Sequence, residues 1–339
     1  MKKHYLFFLL IYTSICFGQI GGKNTYQFLN LANNPRQAAL GSKLFAAYDD
    51  DVFLPLWNPA AINEDMDKQL ALSYVDYLGD ISYGSAAYAY TLDRRVQTYH
   101  FGLTFADYGK FVGADEQGNF TGNFTGKELA ASFGYAKNIA WTDLYLGANV
   151  KFISSQLESY TSFGAALDLG LTYLNEDLDF NASLVVRNFG MQFKSYDELK
   201  EQLPLDISFG MSQQLEHVPI RWYYTLENLQ QWNIIFSNPA REQQTIGGSA
   251  IPEKTGFMKN LANHSIVGLE LFPQRGFTLR LSYNFRRSNE LKILEQRSFS
   301  GFALGFGMRF NKVHVNYAYS KYNNVSNASF FSVTIDLNR

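Results

Sequence analysis

Along most of this chain apolar and polar residues alternate with a period of two, not 3.6. Residues 161–173 put Phe163, Ala165, Leu167, Leu169, Leu171 and Tyr173 on one face and Ser162, Gly164, Ala166, Asp168, Gly170 and Thr172 on the other. Successive side chains of a strand point to opposite faces, so the stretch predicts a strand with one greasy face and one small, polar face. Residues 276–286 repeat the pattern, with Phe277, Leu279, Leu281, Tyr283 and Phe285 set against Thr278, Arg280, Ser282, Asn284 and Arg286. Two arginines make no sense in a helix-period core, but on the inner face of a closed barrel they stay hydrated or paired. A charge placed at Leu169 is therefore expected to cost roughly 2–4 kcal/mol at a bilayer midplane, and Asp168→Asn far less.

About 14 such segments are legible, each near the ~9–11 residues a tilted strand needs to cross a bilayer. They span 70–78, 82–92, 98–108, 128–137, 144–155, 161–173, 178–188, 204–213, 219–227, 264–272, 276–286, 300–310, 312–320 and 329–338. The gaps after odd-numbered segments include 109–127, 189–203, 228–263, 287–299 and 321–328, with 79–81 and 156–160 as short exceptions. Those after even-numbered segments are all short. Outer-membrane barrels have long loops on one side and short turns on the other, so this parity predicts an all-β, transmembrane antiparallel barrel of about 14 strands. It also puts the long loops at the cell surface of a Gram-negative bacterium. Tyr99, Phe105, Tyr173, Phe310 and Tyr319 near the strand ends are candidates for interfacial girdles.

The first 66 residues depart from this rhythm. Lys2 and Lys3, the apolar run Tyr5 to Phe17 and the small residue Gly18 predict a secretory signal peptide over 1–18. Ile15 before Cys16, the sole cysteine, argues against a lipoprotein signal. Within 19–66, Asn34-Pro35 and Asn58-Pro59 are helix starts and Gly41 is placed to end a helix. Phe28, Leu29, Leu31, Leu54, Leu56 and Trp57 make this stretch too apolar for an undocked tail, which predicts a plug inside a barrel formed by 67–339.

Composition narrows the function classes. The net charge of −2 offers no basic field for nucleic acid. Aromatics at 16% and charges at 18% suit a sheet with a lipid-facing side, and no run of 18 apolar residues follows the leader. The histidines, His4, His100, His217, His264 and His314, lack zinc-site spacing. His314 reads as a hydrated inner-face residue. Gly122 to Gly126-Lys127 is one residue short of a phosphate loop and is followed by Glu128. No catalytic constellation appears, so no enzyme, cofactor or metal site is expected. Asp49-Asp50-Asp51 reads as a partner for Arg280, Arg286 or Lys151, or as a helix-terminus cap, in preference to a cation loop. Ser195-Tyr196-Asp197-Glu198 is a capping box that predicts a short helix. In the long connection 228–263, Trp232, Ile234, Ile235 and Phe236 are the candidate partner contacts, with extension of the adjoining strands as the alternative.

One resemblance adds to this. Gly21-Gly22-Lys23, Phe28-Leu29-Asn30-Leu31, Arg36-Gln37-Ala38-Ala39-Leu40-Gly41, Tyr48-Asp49-Asp50-Asp51 and Trp57-Asn58-Pro59-Ala60 form a series that continues with Tyr108-Gly109-Lys110-Phe111 and Leu157-Glu158-Ser159-Tyr160-Thr161-Ser162-Phe163-Gly164. Together they resemble the PorQ family of the type IX secretion system, over nearly the whole chain. The Asn-Pro-Ala element is shared with the PorV and fatty-acid-transporter barrels. The resemblance implies a 14-stranded barrel with an N-terminal plug. It also implies a non-catalytic place in the surface attachment complex, holding PorZ beside the sortase PorU and the shuttle PorV at the lipopolysaccharide-bearing outer surface. The alternative reading is a transporter of hydrophobic small molecules, which calls for an apolar pocket and a lateral opening.

Overall fold

The computed structural model describes residues 24–93, 97–197, 199–234, 243–244, 250–251, 256–273, 276–291, 300–321 and 327–338. The expected signal peptide and Cys16 lie outside the described residues. The wall begins with β1 (Gln69–Asp76), β2 (Ser82–Asp93), β3 (Gln97–Ala114), β4 (Phe120–Asn138) and β5 (Leu144–Leu157). It continues through β6 (Tyr160–Asn175), β7 (Phe180–Lys194), β8 (Asp206–Gln214) and β9 (Ile220–Leu226). A two-stranded ribbon, β10 (Gln243–Gln244) and β11 (Ala250–Ile251), stands apart within the following connection. The wall resumes with β12 (Ser265–Leu271), β13 (Phe277–Asn284), β14 (Phe302–Phe310), β15 (Val313–Lys321) and β16 (Asn327–Asp336). These strands, other than β10 and β11, close into one antiparallel barrel of 14, with β16 pairing β1 along its whole length. Closure leaves no sheet edge within the lipid span, which is the condition for a sheet to cross a bilayer.

The alternation expected from the sequence is the alternation of the wall. On β6, Leu169 is 43% exposed and faces outward, while its neighbour Asp168 is fully buried inside. Outward residues of β4 show where the lipid band ends. Leu129, Ala131, Phe133 and Tyr135 lie between Lys127 and Lys137, two exposed lysines ten positions apart. That separation matches the ~9–11 residues of a tilted spanning strand. Tyr99, expected in a girdle, packs outward against Phe133 and Tyr135.

Three expectations need correction. The connection 109–127 is mostly strand: β3 and β4 run to 18 and 19 residues and meet across a short tip. Phe285 and Arg286 do not extend β13. Asn284 accepts a bond from the Arg287 amide (2.9 Å) and caps a helix, Phe285–Glu290, so the strand stops where a side-chain acceptor offers the backbone a turn. At Ser195 there is no helix among the described residues. Its hydroxyl bonds forward to the Asp197 carbonyl and forms a bend instead. The connections still sort by parity, with turns such as 139–143, 176–179, 215–219 and 311–312 all at one end.

Residues 24–67 fill the interior. Asn34 accepts from the Gln37 amide (3.0 Å) and starts α1 (Pro35–Ala39). Gly41, at φ 93°, then ends it, with Gly41 N–H on the Ala38 carbonyl and Ser42 N–H on the Gln37 carbonyl. A Cβ at Gly41 would stand 2.1 Å from Ile266 of the wall, so glycine is required there twice over. The apolar residues of this segment divide into two clusters against the wall. One gathers Tyr26, Phe28 and Leu29 with Tyr83 and Phe330, the other Phe45, Phe53, Trp57 and Met66 with Ala71, Ala87 and Tyr223.

Candidate functional site

The small, polar inner faces of the strands receive the N-terminal segment residue by residue. Asn58 accepts from the Ala60 amide (3.0 Å) and donates to the Phe45 carbonyl (2.7 Å) and to Thr172 on β6 (3.0 Å). Gly147 on β5 lets this turn touch the wall, since a Cβ there would lie 2.2 Å from the Pro59 carbonyl carbon. Asn149 donates to the Pro55 carbonyl (2.6 Å), and His100 bonds the Val52 carbonyl (2.9 Å). The bonds to the Ala60 amide and to the Phe45, Pro55 and Val52 carbonyls satisfy backbone groups that a loop inside a barrel would otherwise leave unpaired.

Charge complementarity ties the segment at both ends of the lumen. Near the short turns, Arg36 meets Asp49 (2.6 Å), Asp51 (3.3 Å) and Glu270 on β12 (3.4 Å). Arg221 on β9 reaches Asp49 (3.3 Å), and Arg280 on β13 holds Glu270 (2.8 Å). Toward the long loops, Lys43 sits between Asp206 (2.8 Å) and Glu227 (3.0 Å). Between them Arg187 on β7 lies 3.7 Å over the Trp57 ring and donates to the Leu29 carbonyl (2.9 Å). Lys151 pairs with Asp168 (2.6 Å) entirely within the wall.

The acidic triplet is thus an ion-pairing element. Its partners are not those expected: Asp49 and Asp51 take Arg36, Asp49 also takes Arg221, and Asp50 takes Arg309. Lys151 is committed to Asp168, and Arg286 to Glu290 and Glu227. Asp49 and Asp51 also accept amides two residues ahead, Asp51 N–H (3.2 Å) and Phe53 N–H (3.0 Å). A cavity of about 360 Å³ opens beside the triplet, lined by Arg36, Arg221, Glu270, Arg280 and Arg309, with His314 next to Arg309 in its wall. A second, of about 240 Å³ near the long loops, is lined by Lys43, Glu227, Arg286 and Arg287. Both are polar vestibules, unlike the mostly apolar clefts that bury small hydrophobic ligands.

Of the four candidate contact residues, two are described. Trp232 is 36% exposed and stacks on His264 (5.0 Å) and on Phe257 (5.1 Å) of α2 (Phe257–His264). Ile234 is buried. Ile235 and Phe236 lie outside the described residues. Both ring nitrogens of His264 face carbonyl oxygens, of Glu227 and Trp232, which pins the start of the 228–263 connection to its end.

No family model matches this chain, and no curated protein matches it in sequence. Among solved structures, a FadL homologue from Pseudomonas aeruginosa aligns at 12% identity with a TM-score of 0.49, over 90% of this chain and 98% of that one. LpxR from Salmonella typhimurium aligns at 9% identity and a TM-score of 0.33, over 79% and 99%. The KdgM porin aligns at 8% and 0.29, over 80% and 99%. The closed wall and its lipid-sized apolar band themselves give this chain the architecture of an outer-membrane β-barrel.

Proposed function

We propose that this chain is a non-catalytic outer-membrane barrel that anchors a partner protein at the cell surface, in the manner its PorQ-like motifs imply. In this reading it holds PorZ, and through it stands beside PorU and PorV. The observation that carries it is the occupied lumen. Residues 24–67 bring Arg36 and Lys43 to acids of the wall, and the larger cavities left among the described residues are lined mainly by charged and polar side chains. A rigid, filled barrel is a scaffold, and what distinguishes it from other barrels is then carried by its long loops. Deleting the protein is expected to remove PorZ from intact cells, read by surface labelling, while other barrels remain. PorZ retained at the surface with normal secretion would sink the reading.

Transport of a hydrophobic small molecule is the second reading, and one feature of the wall speaks for it. The β6–β7 register slips between Leu167 and Leu169, opposite Arg187 and Asn188, a break of the kind a lateral opening needs. Yet Asn188 closes it, taking Asp168 on its amide (2.8 Å) and donating to Asn30 and to the Pro204 carbonyl. Labelled fatty-acid uptake that falls on deletion of this protein, with surface PorZ unchanged, would favour transport.

A further inference from the structure

The hairpin joining β3 and β4 leaves the barrel. On the outer face, Asp107 and Lys127 form an ion pair (3.4 Å) that marks the upper limit of the apolar band. Beyond this pair β3 soon loses its other neighbour, because β2 pairs with it only as far as Ser82 opposite Asp107, and the turn at Asp80 touches Gly109. β4 loses β5 in the same way after Gly126 opposite Leu157 and the bond from the Glu158 amide to the Thr125 carbonyl. Lys110–Ala114 and Phe120–Phe124 therefore continue as a two-stranded ribbon with no further strand beside it among the described residues. An isolated two-stranded hairpin is marginal in water. This one is held by the stacked pair Phe111–Phe124 (5.2 Å) and by a tip in which Asp115 accepts from Gln117 N–H (3.0 Å) and Asn119 N–H (2.7 Å).

Such a ribbon is poorly suited to standing alone. In an antiparallel pair alternate residues direct their N–H and C=O groups away from the partner strand, so each arm offers a row of unpaired groups. The two edges differ. On β4, Gly122 at φ 125° interrupts the extended backbone, whereas the Lys110–Gly113 stretch of β3 carries no such break after Gly109. Apolar side chains accompany the open edges, with Val112 75%, Phe120 66% and Phe111 40% exposed, all above the level of the lysine that ends the lipid band. Lipid does not cover them there, and water is a poor solvent for them.

We infer that the Lys110–Ala114 edge is a docking strand: an extended segment of the anchored surface polypeptide adds to it as a third strand, packing against Phe111 and Val112. Strand addition meets both deficits at once, because it pairs the backbone row and covers alternate side chains. A sugar or lipid headgroup supplies neither the regular backbone spacing nor the apolar cover. This inference rests on the anchor reading and moves the principal contact from the 228–263 connection to this ribbon.

The test uses the full-length barrel in detergent and purified PorZ as the probe. PorZ is expected to slow exchange of the 110–114 amides at least tenfold. Val112→Asp is expected to weaken binding tenfold or more, as is replacement of residues 111–123 by Asn-Gly. Both variants should keep the heat-modifiable gel mobility of a closed barrel, since neither change enters the lipid span. If PorZ binds wild type and both variants equally, the docking strand is wrong and the anchor reading survives. If PorZ does not bind wild type, both fail. If vesicles of lipopolysaccharide alone protect the same amides as strongly, the occupant is a lipid surface and the inference is overturned.

Discussion

Leu169 and Asp168 are neighbours whose side chains live in different solvents. Leu169→Arg puts a charge on the lipid face, where it is expected to cost roughly 2–4 kcal/mol at the midplane. The sequence alone makes Asp168→Asn look mild, because an inner-face acid looks hydrated. In the folded barrel Asp168 is fully buried, holds Lys151 at 2.6 Å and accepts the Asn188 amide. Asparagine keeps the amide bond but strands the lysine, and breaking a buried pair in this way costs roughly 3–5 kcal/mol. The two substitutions should therefore lower the urea midpoint by similar amounts. Pairing Asp168→Leu with Lys151→Met should recover much of the loss, since it removes both charges. A silent Asp168→Asn would show that water reaches this pair. Trp57 poses a similar test in the N-terminal segment. Removing its ring from beneath Arg187 by Trp57→Ala should cost about 3–5 kcal/mol, read by the same titration.

At the scale of elements, legibility followed how local each determinant is. Strand positions rest on alternation, a local signal, and all 14 barrel strands stand where it puts them. Asn34 and Gly41 bound α1 as their side-chain and backbone chemistry requires, and Asn34→Ala should destabilise the segment by about 1 kcal/mol. What alternation missed has a nonlocal cause. The β3–β4 ribbon lies beyond the lipid band, so its residues need no regular contrast between faces, and Phe111, Gly113, Gly122 and Phe124 read as loop. The ion pairs were equally hidden, because Arg36 finds Glu270 across 234 positions. The charges of both signs on inner faces, such as Asp206, Glu270 and Arg221, were the available sign that a segment carrying Arg36 and Lys43 as well as Asp49 must enter. The ribbon tip carries its own pH dependence. The Asn119 side chain and backbone amide hold the Asp115 carboxyl below its ordinary value. Its ordering of the tip is complete above the usual carboxylate range and is lost as pH falls through the lowered value. Exchange of the Asn119 amide, corrected for its intrinsic rate, should be flat from pH 8 to pH 5 and rise only in stronger acid. Asp115→Ala should show the faster exchange at every pH.

For the molecule as a whole, the question is whether the wall or its contents sets the permeability. The wall alone is a cylinder of 14 strands whose inner face carries small and polar residues, and closed barrels of comparable and larger size enclose cavities or channels. The segment 24–67 removes that space, with Gly147 and Gly41 allowing its backbone to touch the wall and Arg36 and Lys43 neutralising Glu270 and Asp206. The intact protein in a planar bilayer should thus pass little current. Protein refolded without residues 24–66 should give steady open channels, because the wall keeps its closed pairing while its inner acids gain water in place of arginine and lysine. The deleted stretch takes away Arg36 and Lys43 but also Asp49, Asp50, Asp51, Glu64 and Asp65, and its loss leaves Arg221 without Asp49 and Arg309 without Asp50, so the channel should prefer anions. Gly147→Val gives a subtler version: the wall should close normally, but the Asn58-Pro59-Ala60 turn no longer fits, so the current should flicker between blocked and open levels. Equal current from the intact and shortened proteins would mean that the segment leaves the lumen in the membrane. The scaffold argument would then lose its support, and the transporter reading would gain.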